Sequence, residues 1–257
     1  MLPLDDFDRS RYDWQLAVTG FSEEGQRRLK NASVLVSRIG GVGGMVALQL
    51  AAAGVGRLVL AHGGNLRTDD LNRQILMSDA GIGCSRVEQA AARLRAINPN
   101  VVVETAAENM SAANAPRLVA TVDAVASCAP RFEERLAMNA AAVVQGKPMV
   151  DAAMYDMDLQ LLIVRPGRTA CLACLFPEPP GAWKRKFPVF GAVAATVGCM
   201  AAMELIKILA GFGEPLENQM LVGDMTNLGF RKVRIRRRPH CSVCQSSPPS
   251  LRQDEVR

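Results

Sequence analysis

Little in this sequence marks it for disorder or export. No long low-complexity stretch interrupts it, and glycine and proline, at 21 and 14 of 257 residues, are ordinary in number, which excludes linker-like and collagen-like classes. The opening Met-Leu-Pro-Leu-Asp-Asp-Phe-Asp is acidic and has neither the cationic start nor the apolar stretch of a secretion signal, so a cytoplasmic location is expected. Uncharged runs of membrane-spanning length are lacking too. The run from Phe187 to Met203 is short, contains Pro188, Gly191 and Gly198, and continues into the amphipathic Glu204-Leu-Ile-Lys-Ile-Leu. A buried helix is expected there, with no membrane partner.

What is present suffices for a core. Hydrophobic residues make up 49% of the chain and charged residues 21%, so one large α/β domain, or a domain with a subdomain, folds without disulfides. The net charge of +5 is concentrated in Arg231-Lys-Val-Arg-Ile-Arg-Arg-Arg238. There Lys232, Arg234 and Arg236 alternate with Val233 and Ile235, as in a strand with one solvated face and an exposed edge. Binding of phosphates or an acidic protein tail is the alternative for this run, and no nucleic-acid partner is expected.

Periodicity gives the organisation. Ser33 to Arg38 reads as a buried strand, followed by glycines at 40, 41, 43 and 44, an Ala/Leu-rich helix ending at Gly54, and a strand from Arg57 to Ala61. A strand, glycine loop, helix and strand in that order form the unit of a doubly wound sheet, with backbone amides and a helix N-terminus offered to a phosphate. A helix over Ser85 to Ile97 stops at Asn98-Pro99-Asn100; strands at Val101 to Thr105 and Ala124 to Cys128 flank a helix over Ala113 to Val122. After a helix over Glu133 to Val144 come strands at Met149 to Ala153 and Leu159 to Val164, a Pro-rich loop through Pro180, a helix over Val189 to Leu209, and strands at Gln219 to Val222 and Phe230 to Arg236. The expected fold is therefore α/β: a Rossmann-like, doubly wound, mostly parallel sheet with C-terminal antiparallel strands and a four-cysteine zinc site. A helical segment is expected over 1–30, the nucleotide-fold core over 31–165, a zinc-stapled portion of the same domain over 166–244, and a flexible tail over 245–257.

The zinc site rests on spacing. Cys171-Leu-Ala-Cys174 and Cys241-Ser-Val-Cys244 each present two thiolates about one tetrahedral edge apart, and together they complete a closed four-thiolate shell. A redox dithiol is the rival for a single pair, but such motifs normally open a helix in a thioredoxin-like unit. With no open ligand position, this zinc would staple the C-terminal strands to the middle of the chain rather than catalyse. Cys128 and Cys199 fall in apolar stretches and read as packing residues, whereas Cys84 precedes a helix in a loop and is either a plain thiol or a somewhat reactive one.

With these pieces in order, the sequence resembles the ThiF/MoeB/HesA family, bacterial relatives of ubiquitin-activating enzymes. The matching residues are Arg11-Tyr12 with Gln15, Gly40-Gly41-Val-Gly43, Leu50-Ala-Ala-Ala-Gly-Val-Gly56, Leu71-Asn-Arg73-Gln74, Arg86-Val-Glu88, Ile97-Asn-Pro99, Cys171 and Cys174 with Leu-Phe-Pro-Glu-Pro-Pro180, and the final cysteine pair. The resemblance implies a homodimer or heterodimer that binds Mg-ATP and a ubiquitin-like sulfur carrier ending in Gly-Gly. The carrier's terminal carboxylate attacks the α-phosphate and pyrophosphate leaves. It also implies a nucleotide site at Gly40, Gly41, Gly43, Arg38, His62, Arg73, Gln74 and Arg86, with Arg73 as the catalytic cation.

Several positions depart from the family pattern. Arg38 stands where the family has a further glycine, His62 and Gly64 where it has acidic residues, Trp14 where it has an arginine, Asp70 where it has asparagine, and Arg86 where it has lysine. Pro130 falls at the magnesium aspartate and cannot ligate a metal. The loop Trp183-Lys-Arg-Lys-Phe187 has no cysteine, so covalent carrier transfer through it is not expected. Three readings follow: an active adenylyltransferase with Asp151 or Asp123 as a substitute magnesium ligand, a non-adenylating pseudoenzyme or binding subunit, or a basic crevice of Arg38, His62, Arg73, Arg86 and Arg131 that holds another anion.

Overall fold

The computed structural model describes residues 1–178, 180 and 188–245. Three short helices, α1 (Asp6–Arg11), α2 (Asp13–Leu16) and α3 (Glu23–Lys30), lead into β1 (Ser33–Ser37), α4 (Gly41–Ala52) and β2 (Arg57–Ala61). Then come α5 (Arg86–Ile97), β3 (Val102–Ala106), α6 (Ala115–Ala120), β4 (Ala124–Ser127), α7 (Phe132–Val144), β5 (Met149–Tyr155) and β6 (Asp158–Val164). The chain continues through α8 (Leu172–Leu175), α9 (Gly191–Ala210), β7 (Gln219–Asp224) and β8 (Gly229–Arg234).

These strands form one eight-stranded sheet in the order β3-β2-β1-β4-β5-β6-β7-β8. The first five pair in parallel and the last three antiparallel, as expected. β1 is buried along its whole length, which suits a central parallel strand covered on both faces. One apolar layer packs α4, α5 and α9 on the sheet, and a second packs α6 and α7 on the opposite face.

α9 is long and apolar enough by composition alone to cross a membrane. Its contacts give a different account: Val193, Val197, Ala201 and Leu205 are buried in the first layer, against α4 and the strands β4, β5 and β6. A Cβ on Gly198 would lie 2.7 Å from the Val42 carbonyl oxygen, so small residues let the two helix backbones touch. Gly211, in the left-handed region at φ 74°, closes the helix. The expected start at Val189 is shifted to Gly191 because Val189 bridges to Asp156.

Several residues carrying the family resemblance act at the end of the sheet remote from the glycine loop. Asn98 Nδ2 donates to Tyr12 Oη (2.9 Å) and to the Ala51 carbonyl (2.7 Å), and Gln15 Nε2 donates to the Ala53 carbonyl at 3.1 Å. The N-terminal segment is thereby tied to the ends of α4 and α5. Asp123 belongs to this end too, since its carboxylate accepts from the backbone N and Oγ of Ser33, so it is no magnesium ligand for the glycine loop.

One expectation needs correction. β8 does sit at the sheet edge, but all six of its residues are exposed, not one face alone, because no helix among the described residues covers either side of it. Ile235, just beyond the strand, is the buried residue of the basic run. The Trp183 to Phe187 loop and the tail beyond Gln245 lie outside the described residues.

Candidate functional site

The sheet order reverses between β1 and β4, and a crevice opens there at the carboxyl ends of β1, β2, β4 and β5. Arg38, Gly40, Gly41, His62, Arg73, Gln74 and Arg86 all line it, so residues spread over the first third of the sequence converge on one cavity. Gly43 does not line it. A Cβ there would sit 2.4 Å from the Arg38 carbonyl oxygen and 2.8 Å from that of Ser37, so Gly43 lets α4 pack against the end of β1. Arg131 points elsewhere; Arg135, one helical turn further along α7, takes the lining position. Trp14 is fully solvated on α2, at 91% exposure, and takes no part.

The charges in this crevice are paired with one another. Arg38 leaves β1 in the left-handed region at φ 56°, and its guanidinium meets Glu134 of α7 in a two-pronged bond, Nε to Oε2 at 2.8 Å and Nη2 to Oε1 at 2.5 Å. Asp70 is held by Arg86 at 2.6 Å and by Arg73 at 3.2 Å. Burial works against the Asp70 carboxylate, but Arg86, the Arg67 backbone N–H and Arg73 outweigh it and hold the carboxyl below its ordinary range. Behind these, Arg135 bonds Asp151 through both nitrogens (3.0 and 2.5 Å) with both side chains buried, and Ser127 Oγ donates to the same carboxylate at 2.7 Å. The pairings of Asp70 with Arg86, Glu134 with Arg38 and Asp151 with Arg135 escape sequence reasoning, because the partners lie 16 or 96 residues apart in the chain.

His62 is 5% exposed at the end of β2. Burial first, then the Arg38 and Arg86 cations, lower its pKa to about 3, so the ring is neutral at pH 7. The Ile39 carbonyl favours the imidazole N–H, and Nδ1 has no hydrogen-bond partner among the described residues. Gln74 Oε1, also buried, has none either. Cys128 lies on the same wall, where burial and Asp151 push its thiol up and keep it unreactive.

At the other side of α7 the four predicted cysteines meet. Cys171 Sγ lies 3.9 Å from Cys174 Sγ and 3.7 Å from Cys241 Sγ, and Cys174 Sγ lies 3.5 Å from Cys244 Sγ. All four sulfurs fall within 4.8 Å of one another. A tetrahedron with Zn–S bonds of ~2.3 Å has edges of roughly 3.8 Å, so the donor set fits. Burial and the facing sulfurs push the Cys171 thiol up. Burial alone would raise Cys241 as well, but the N–H groups of Cys244 and Val243, with the neighbouring thiols, bring it down to about 7. Four thiolates this close repel unless a cation sits among them, so the cluster is a site able to hold a metal. Asn139 of α7 supports it, its Oδ1 accepting from the Leu172 backbone N at 2.9 Å.

Comparison with known proteins agrees with this geometry. A profile of the ThiF family matches residues 12–243, which is nearly the whole fold. This chain belongs to the ThiF family. Protein HesA of Leptolyngbya boryana is 45% identical over 249 residues, covering 97% of this chain and 90% of that protein. A sulfur carrier protein adenylyltransferase of Thermus thermophilus is 37% identical over 247 residues, covering 93% of this chain and 91% of that one. Among solved structures, E. coli MccB with ATP superposes with a TM-score of 0.80 at 23% identity, covering 93% of this chain and 74% of MccB, and shows the shared fold. The ThiF-family frame thus holds two sites, one a cluster of like donors and the other a crevice of opposed charges.

Proposed function

We propose that this ThiF-family chain engages a ubiquitin-like sulfur-carrier protein with a C-terminal Gly-Gly, and that its crevice is not equipped for ordinary magnesium-dependent adenylation. The carrier relationship draws on the Thermus thermophilus relative, named for a sulfur carrier protein. The chain acts in the cytoplasm as a homodimer or as one half of a heterodimer with a related chain. It uses zinc, held by Cys171, Cys174, Cys241 and Cys244, as a structural staple.

The observation that carries the second half of the proposal is the state of the carboxylates. Pro130 stands at the expected magnesium position, Asp70 is engaged by two arginines, and Asp151 is buried under Arg135. A magnesium ion that bridges phosphates needs one or two carboxylate oxygens free. The residues present do not fit that ion. Arg73, the candidate catalytic cation, already donates to the Asp69 carbonyl and the Asp70 carboxylate.

Calorimetry with Mg-ATP tests this reading on zinc-loaded protein. The unmodified chain is expected to show no micromolar binding, and an Arg38→Gly, Pro130→Asp double variant is expected to gain it. Micromolar binding by the unmodified chain, or pyrophosphate release that depends on a carrier, would restore the adenylating reading.

A further inference from the structure

The arginines of the crevice are each held by a carboxylate, but the cations at the C-terminal edge of the sheet are not. The side chains of Arg231, Lys232 and Arg234 on β8 form no ion pair or hydrogen bond with any other described residue. β8 also ends the sheet order, so along its outer side the backbone N–H and C=O groups have no neighbouring strand among the described residues.

Register assigns the side chains of this edge to faces. Lys232 stands opposite Leu221, which packs on the α9 side, and Val233 stands opposite Met220, which packs on the α7 side. Alternation then puts Phe230, Lys232 and Arg234 on one face and Arg231 and Val233 on the other. Phe230 lies across Gly223, where a Cβ would come within 2.7 Å of its ring, yet it stays 43% exposed, and Val233 is 38% exposed. The edge thus displays three cations and two apolar side chains in a fixed order.

A second β8 does not suit this edge, since two-fold pairing sets cations against cations. A nucleic-acid backbone does not suit it either: the cations are divided between the two faces of the sheet and leave no single cationic surface. Cations can also serve simply to keep an edge unpaired, but a barrier gains nothing from the exposed Phe230 and Val233 between them. An extended strand that is acidic and partly apolar meets the five side chains and the bare backbone together.

We infer that the free edge of β8 receives an extended acidic segment of a partner protein, which adds antiparallel as a ninth strand. It carries acidic side chains opposite Arg231, Lys232 and Arg234 and apolar ones opposite Phe230 and Val233. Read from its N-terminus, that segment has the order acidic, apolar, acidic, acidic, apolar. No residue of β8 lines the crevice, so the inference is independent of how the crevice handles nucleotide.

The probe is a fluorescein-labelled peptide containing Glu-Val-Glu-Glu-Val, titrated by anisotropy into zinc-loaded full-length protein. It is expected to bind, more weakly as salt rises. Methylating alternate backbone nitrogens of the peptide makes two further probes of unchanged charge. Only one alternate set of amides faces β8 in an antiparallel pair, so one methylated peptide is expected to lose binding and the other to keep it. A variant with Arg231→Glu, Lys232→Glu and Arg234→Glu is expected to bind the parent peptide at least about tenfold more weakly, with zinc content and thermal midpoint unchanged because these residues are exposed. The methylation comparison uses the unmodified chain and holds whatever the stability of that variant.

No binding of the parent peptide up to ~1 mM would leave β8 as an edge protected by charge and overturn the inference. Loss of both methylated peptides, or of neither, would overturn strand addition in favour of plain charge attraction. An oligothymidylate that binds as tightly as the peptide would make the edge a phosphate surface, and full peptide binding by the triple variant would place the contact elsewhere; either result sinks the inference.

Discussion

The four-thiol corner and the crevice lie on the same α/β frame, yet they treat their polar groups in opposite ways. In the corner four identical donors converge within 4.8 Å of one another. In the crevice cations and carboxylates from separate elements cancel one another, and what is left without a partner is two neutral atoms. Like donors advertise their ligand, because only a cation resolves them. Opposed charges conceal theirs, because the fold has already resolved most of the problem. α7 stands between the two, with Glu134 and Arg135 turned to the crevice and Asn139 turned to the cysteines.

The sharpest way to test the first half of that contrast is to remove sulfur. Cys174→Ser with Cys244→Ser is expected to abolish zinc retention, measured by native mass spectrometry, and to cost several kcal/mol of stability, because binding at a structural zinc site contributes on the order of 10 kcal/mol to folding. Retained zinc and an unchanged melting temperature in the double variant would mean the corner needs no cation.

The second half makes the next largest claim. Asp151→Asn leaves the buried Arg135 guanidinium without its counter-charge, and denaturant unfolding is expected to show a loss of about 3–5 kcal/mol. Adding Arg135→Met to the same chain is expected to recover part of that loss, since the buried guanidinium charge is gone and the oxygen of the new amide can still accept from Ser127 Oγ. A double variant as unstable as the single one would show that the pair does more than cancel itself.

A smaller effect is expected where the glycine loop meets β1. Gly43→Ala drives a Cβ toward the Arg38 carbonyl, which is expected to cost about 1–3 kcal/mol. It would also shift Arg38 relative to Glu134, so the same variant reports whether their bond tolerates movement.

The last effect is specific to pH and accumulates with acidification. The folded His62 has a pKa of about 3 against an ordinary 6.5, so between those values the unfolded chain binds more protons. The neutral ring's contribution to stability is therefore complete above about pH 6.5 and declines as pH falls toward 3. His62→Gln removes this dependence, and the stability difference between the two chains is expected to move in the variant's favour by up to about 1.4 kcal/mol per pH unit of acidification in that window. A constant difference from pH 7 to pH 4 would mean that His62 is solvated and chargeable.

Much of the frame was legible because its signals are local. The buried run Ser33 to Ser37, the glycines that follow, the stop at Asn98-Pro99 and the paired Cys-X-X-Cys spacings each specify an element or a ligand set within a few residues. The edge strand was half legible: alternation predicted the strand, but whether one face or both stay bare depends on which helices cover it. The crevice was least legible. Its candidate residues from Arg38 to Arg86 do converge, yet the choice of Arg135 over Arg131 depends on where α7 begins, since Arg131 is the extended residue before its first turn, and the carboxylates that quench the arginines come from as far as 96 residues away.

The sequence by itself determined the order of elements, the parallel half of the sheet, the antiparallel C-terminal strands and the four cysteines able to hold a metal, because periodicity and short spacing are properties of neighbouring residues. Only the tertiary structure decided that Arg38 is spoken for by Glu134, that Asp70 and Asp151 are engaged by arginines, and that His62 is a buried neutral ring. Charge state and availability depend on what lies within a few ångströms in space, and at this site those neighbours are supplied by strands and helices far apart in the chain.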